Sequence, residues 1–183
     1  TQENLDPVRY LGNRSSGRQG FALGEVAAQR GADVTIVAGN TDALPIPSGA
    51  SVVRVTSTRD MHKAINAEAV DADIVIMAAA VSDYRPASVA DSKMKKGAAD
   101  EDLAHLELVE NPDILKGLVE RRENGDLKRD AIIVGFAAET GDAHTTVLEY
   151  AQQKFLKKGC DVLMANEVGE GKVFGQPTSA GWI

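Results

Sequence analysis

DIVIMAAAVSDYRPASVADSKMKK, residues 73–96, decides how the rest of the chain is read. Its first half is a near-continuous apolar run, the pattern of a strand buried on both faces of a parallel sheet. After Ala78-Ala79-Ala80 the run ends in small residues. Asp83, Tyr84 and Arg85-Pro86 follow, then a loop carrying Lys93, Lys95 and Lys96. In an open α/β sheet ligands bind outside the carboxyl ends of the strands, where small side chains let a ligand approach the backbone and charges hold it. A strand followed by a solvated, charged loop would have the same pattern.

Working outward, strands and helices alternate on both sides of this stretch. The spacing predicts a loop over 1–15 and a helix from Ser16 to a stop at Gly31, with Ser15 or Ser16 as cap. Strands follow at 32–38 and 52–55, then a helix over 58–69 capped by Thr58, and the central strand over 73–80. Beyond the lysines come a short strand at 106–109, a helix from Asn111-Pro112-Asp113 to about 123, a strand at 131–138, a helix over 145–158 and a strand at 161–165. This order predicts an α/β fold: a Rossmann-like, doubly wound, mainly parallel sheet with a lysine-bearing flap.

Composition narrows the function. At 183 residues, with 43% hydrophobic and 26% charged residues, the chain fits one soluble domain over 1–183. A net charge of -7 argues against nucleic acid or an anionic membrane as partner, so any anion site must be a local basic cluster. The single cysteine, Cys160, excludes an internal disulfide, and the three histidines lack metal-ligand spacing. With no membrane-length apolar run and no signal-type start, a cytoplasmic protein is expected.

Four groups of residues could carry chemistry. Gly12-Asn-Arg-Ser-Ser-Gly17-Arg-Gln-Gly20 enters a helix with free amides and the positive end of its dipole, a natural phosphate cradle. It is neither a P-loop, since Arg18-Gln19 replaces Lys-Ser/Thr, nor the dinucleotide fingerprint, since the glycine spacing differs and no ribose-binding acid ends the strand over 32–38. Gly20, Gly24 and Ala28 recur on one face, and each interior glycine costs about 1 kcal/mol of helix propensity, which needs a packing or ligand reason. Lys93, Lys95 and Lys96 are either solvated or a clamp for phosphates. Lys154 and Lys158 either mark an exposed helix end or flank an anion. Asn13 either closes a turn or donates to an oxyanion, and Phe136 is either core or a platform for a base.

Taken together, LDPVRYLGNRSSGRQG, AAAVSDYRP, KMKK, ENPDIL, VGFAAET and AQQKFLKKGCD..MAN, in this order, resemble the bacterial phosphopantothenoylcysteine synthetases of coenzyme A biosynthesis. In bacteria these are usually fused behind a flavin-dependent decarboxylase. The resemblance implies a dimeric amide ligase taking 4′-phosphopantothenate, L-cysteine and CTP with Mg2+ carried mainly by the triphosphate. It would work through an acyl-cytidylate and release pyrophosphate and CMP. FMN would belong only to an attached decarboxylase, which could also build a larger oligomer. By position, the resemblance puts Ser15, Gly17, Gly20, Asp83, Lys93, Asn111, Pro112, Asp113, Ile114, Phe136, Lys154, Lys158 and Asn166 around the nucleotide. It puts Asn13, Ala79, Ala80 and Asp83 on phosphopantothenate, with Arg9 reaching across from the other subunit. Asn13, Lys93 and Arg9 would be catalytic, with Lys95 and Lys96 beside Lys93 in the flap. The KMKK loop favours CTP over the ATP of the human-type enzyme. The strand and glycine turn that precede Thr1 in the family, and its C-terminal strands, lie outside this sequence. The same fold also admits an NAD(P)-dependent oxidoreductase or a non-catalytic nucleotide-binding module.

Overall fold

The computed structural model describes residues 1–41, 44–95, 103, 105–168 and 180–183. Its centre is a ladder of three parallel strands, β5 (Ile74–Met77), β8 (Ile132–Glu139) and β9 (Val162–Glu167), each built on an apolar run. Ile74 pairs with Ile132 and Met77 with Gly135, while Val134 pairs with Val162 and Glu139 with Glu167. The two-residue β10 (Gly181–Trp182) adds antiparallel to β9. A second parallel ladder joins β3 (Val34–Ala38) to β4 (Ala50–Arg54). Among the described residues the two ladders share no strand pairing, so the single continuous sheet expected from the sequence is divided between β3 and β5.

Helices lie on opposite faces, as double winding requires. Helix α1 (Arg18–Gln29) packs on β3 through its glycine face: a Cβ on Gly24 would lie 2.7 Å from Ile36 Cδ1. That close approach is the packing reason for a glycine inside a helix. Helices α2 (Thr58–Glu68), α3 (Ile114–Asn124) and α4 (Val147–Lys158) cover the other face. There Met61, Val75, Met77, Leu118, Ile133, Ala151 and Leu163 form one core, with Val37 of β3 packed against it. The alternate strand positions Ile74, Ile76 and Ile132 remain exposed.

Several sequence expectations shift for local reasons. Residues 1–15 are not all loop: β1 (Gln2–Asn4) and β2 (Tyr10–Gly12) form an antiparallel hairpin, each strand too short for an alternation to register. Neither Ser15 nor Ser16 caps α1; Gly17 does, at φ 73°, with no side-chain cap bond. Ser57, not Thr58, caps α2, in a reciprocal capping box with Asp60. Asp113, not Asn111, caps α3 by accepting from Lys116 N at 3.1 Å, so Pro112 precedes the helix. The central strand stops at Met77. Within the stretch taken for loop, β6 (Tyr84–Pro86) pairs antiparallel with β7 (Leu108–Glu110).

Candidate active site

The hairpin is docked by buried polar groups. Glu3, 3% exposed, accepts from Thr58 N at 2.8 Å and so satisfies a free amide in the first turn of α2. The Thr58 hydroxyl is fully buried, 3.0 Å from Thr1 Oγ1, and donates to Ser82 O at 3.3 Å. Thr1 N donates to Ala80 O at 3.1 Å. The segment before β2 is thereby fixed against the carboxyl end of β5, and β2 delivers Asn13 to the same place.

There Asn13 Nδ2 donates to Val81 O at 3.2 Å, and Asn13 O accepts from Ser15 N at 2.9 Å. The main-chain carbonyl therefore closes the local turn, while the side-chain amide reaches across to Val81. An amide nitrogen has two protons, so one bond orients the group and a second donor remains. The chain then enters α1 through Gly17, with Ser15 and Ser16 exposed. A Cβ on Gly20 would stand 3.7 Å from Ala78 Cβ, which puts the amino end of α1 directly over the small residues ending β5. Ala79 and Asp83 are exposed and Ala80 half-buried.

The neighbouring strand ends continue this edge. Phe136 lies one step beyond the Gly135–Met77 pair, opposite Met164, on the face away from α3 and α4. Its partner face is tight: a Cβ on Gly135 would meet Leu115, Leu163 and Cys160. Ala138 pairs with Asn166, which is 5% exposed and donates to Ala180 O at 3.0 Å. Asn166 thus ties β9 to the segment entering β10.

Beside the edge, Asn111 holds the loop together. Its Nδ2 donates to Ser82 O at 2.9 Å, its N to Asp83 O at 2.8 Å, and its Oδ1 accepts from Arg85 at 3.1 Å. Ile114 is core, 4% exposed. Lys154 and Lys158 do not share one anion here; each has its own carboxylate. Lys154 donates to Glu139 at 2.8 Å, and Lys158 donates to Asp113. Burial pushes the Asp113 carboxyl up, but Lys158 and the Lys116 amide outweigh that and hold it below its ordinary range.

Lys93 and Lys95 are exposed and flank the half-buried Met94, whereas Lys96 lies outside the described residues. Arg9, expected to reach across subunits, is held within its own chain by Asp6 and by Met94 O. The strand ends thus gather Asn13, Gly17, Gly20, Ala79, Ala80, Phe136 and Asn166 along one rim. Asp113, Lys154 and Lys158 form ion pairs beside it, and Arg9 and Lys93 belong to the hairpin and its loop.

Sequence reasoning missed Glu3, Ser82 and above all Asp6, whose only local signal is the Asp6-Pro7 turn. It also missed a cleft of about 240 Å³ where β3 and β4 end, lined by Gln2, Gly39, Asn40, Arg54, Val55 and Thr56. Among the described residues no three His, Cys, Asp or Glu side chains could hold a metal together, and no helix is long and apolar enough to cross a membrane.

Residues 1–183 match the family model described as the DNA/pantothenate metabolism flavoprotein C-terminal domain. Over its whole length the chain is 51% identical to the coenzyme A biosynthesis bifunctional protein CoaBC of Mycobacterium tuberculosis, of which it covers 43%. It is 43% identical over 170 residues to the protein of that name from Escherichia coli, covering 93% of this chain and 39% of that one. It therefore spans less than half the length of these relatives. The crystal structure of the C-terminal domain of a CoaBC protein superposes with a TM-score of 0.71 at 39% identity, covering 91% of this chain and 72% of that one.

Proposed function

The chain belongs to the DNA/pantothenate metabolism flavoprotein C-terminal domain family, and on that premise we propose that it is a CTP-dependent ligase joining 4′-phosphopantothenate to L-cysteine. The observation that carries this reading is the placement of the amino end of α1 over Ala78, with Asn13 bonded to Val81 beside it. Free helix amides, a small-residue strand end and an oriented amide then border one space, which suits a polyphosphate next to an acyl group.

In the first step the pantothenate carboxylate attacks the α-phosphorus of CTP, giving acyl-cytidylate and pyrophosphate. Two anions must meet. CTP enters as its magnesium complex, and Ser15, Gly17 and Gly20 at the helix start, with Lys93 from the loop, offset the remaining repulsion. Asp83, the turn Asn111-Pro112-Asp113-Ile114, Phe136 and Asn166 frame the nucleotide. Lys154 and Lys158 exchange their carboxylates for phosphate when it binds. In the second step the cysteine amine attacks the acyl carbon and CMP leaves. The free Asn13 N–H donates to the oxyanion that develops, a contribution of about 3–4 kcal/mol to the rate. Ala79 and Ala80 give phosphopantothenate room, and Arg9 binds it. We read the enzyme as a cytoplasmic homodimer; an attached FMN-dependent decarboxylase would enlarge the oligomer.

Separate assays of the two half-reactions test this. Asn13→Ala should release pyrophosphate in the first turnover at near the parent rate while amide formation falls by about 10²–10³-fold. Equal loss of both steps would remove Asn13 from the second. Lys93→Ala should depress pyrophosphate release much more than Lys95→Ala, and equal small losses would mark a solvated loop.

A further inference from the structure

Asp6 is 2% exposed, and nothing in the proposed chemistry uses it. Its two oxygens have separate tasks. Oδ1 accepts from Val8 N and Arg9 N, both at 2.8 Å, and so closes the turn of the hairpin. Oδ2 accepts from Arg9 Nε at 2.9 Å and NH2 at 2.5 Å, and also from Met94 N at 3.2 Å, 88 residues away. Arg9 NH2 in turn donates to Met94 O at 2.7 Å. Closing a turn needs only the first oxygen; the second is committed to Arg9 and, through Met94 N, to the loop.

Both main-chain polar groups of Met94 are thus held by one ion pair, whose carboxylate is buried and whose guanidinium is partly exposed. Met94 N belongs to the peptide plane that begins at Lys93, and Met94 O to the plane that ends at Lys95. Because peptide groups are planar, the directions of these two bonds limit where the Cα atoms of both lysines can stand. Leu5 O accepts from Ala90 N at 3.0 Å, a further tie between this turn and the loop. A buried carboxylate is costly unless fully paired, and Asp6 has five donors. Exposed loop backbone, by contrast, is ordinarily left to water.

We propose that Asp6 is a positioning residue for the ligase reaction: through Arg9 and the backbone of Met94 it holds Lys93 at a fixed place beside the reacting phosphate. This rests on the role given to Lys93 above. Exposed lysines on an untethered loop lose much of their effect to rotational freedom, whereas a fixed attachment point puts the ammonium where charge develops.

A double-mutant cycle in the full chain tests it, with pyrophosphate release from CTP, Mg2+ and 4′-phosphopantothenate as the readout. Asp6→Asn keeps Oδ1 as an acceptor and turns the other position into a donor facing donors. Its kcat should fall by about 10- to 100-fold while KM for CTP changes little, because misplacing a group by about 1 Å costs that much. In a Lys93→Ala background the same substitution should cost less than about twofold, since residues acting as one unit are not additive. Equal losses in both backgrounds would overturn the proposal and leave Asp6 acting on the fold or through Arg9 alone. If Lys93→Ala alone left pyrophosphate release unchanged, the role of Lys93 would fall and this proposal with it. Should Asp6→Asn not fold, Asp6→Glu, which keeps the charge but displaces the carboxylate from Met94 N by one methylene, takes its place in the same cycle.

Discussion

Gly17 and Gly20 stand three residues apart where α1 begins, and replacing each by alanine should move stability in opposite directions. Gly17 has φ 73°, and a Cβ there would fall 2.3 Å from Thr41 Cγ2. Forcing a side chain into the left-handed region costs about 1–2 kcal/mol. Displacing the Thr41 methyl adds an overpacking cost of about 1–3 kcal/mol. Because that methyl can rotate, the two together come to about 2–4 kcal/mol. Gly20 is different. Its Cβ would rest 3.7 Å from Ala78 Cβ, an ordinary contact, in helical backbone. Gly20→Ala therefore recovers up to about 1 kcal/mol of helix propensity. For a chain of this size 1 kcal/mol moves Tm by about 2–4 °C, so Gly17→Ala should lose about 5–15 °C and Gly20→Ala gain up to about 4 °C. Urea titrations followed by far-UV circular dichroism, with slopes equal to the parent's, give the free energies directly. A Gly17→Ala protein within about 0.5 kcal/mol of the parent would refute this account of the turn. So would a Gly20→Ala protein as unstable as Gly17→Ala.

Gly135→Ala should destabilise by about 1–3 kcal/mol in the same titration, because the new Cβ would stand 2.7 Å from Leu115 Cδ2 and 2.9 Å from Leu163 Cδ1; a neutral result would mean that this seam of the core is loose. Asp161 accepts from Arg122 and, at 2.7 Å, from Ile133 N. Burial raises its carboxyl pKa, but these bonds outweigh that and hold it below the ordinary value. A depressed folded-state pKa adds stability above the unfolded carboxylate pKa and loses it as pH falls through the folded one. Stability should thus decline below about pH 4, and less steeply in Asp161→Asn; parallel acid curves for the two proteins would remove Asp161 as a contributor.

Sequence alone determined the longer strands and the helices, because apolar runs such as those within 73–80 and 131–138 and the helix stop at Gly31 are local signals that packing had no reason to overrule. It also determined the function reading, because six ordered motifs carry the family resemblance. Short elements escaped it: three-residue strands such as Tyr10–Gly12 and Tyr84–Pro86 owe their existence to a partner strand and have no period of their own. Caps shifted by one or two positions because Ser57, Thr58, Asn111 and Asp113 are all chemically able to cap, and only the path of the chain selects among them. What tertiary structure alone decided is pairing at a distance. That Lys154 and Lys158 neutralise Glu139 and Asp113, and that Asp6 and Arg9 hold Met94, follows from where the fold puts groups separated by up to 88 residues. A charge in a sequence has no direction until a sheet edge and a buried carboxylate give it one.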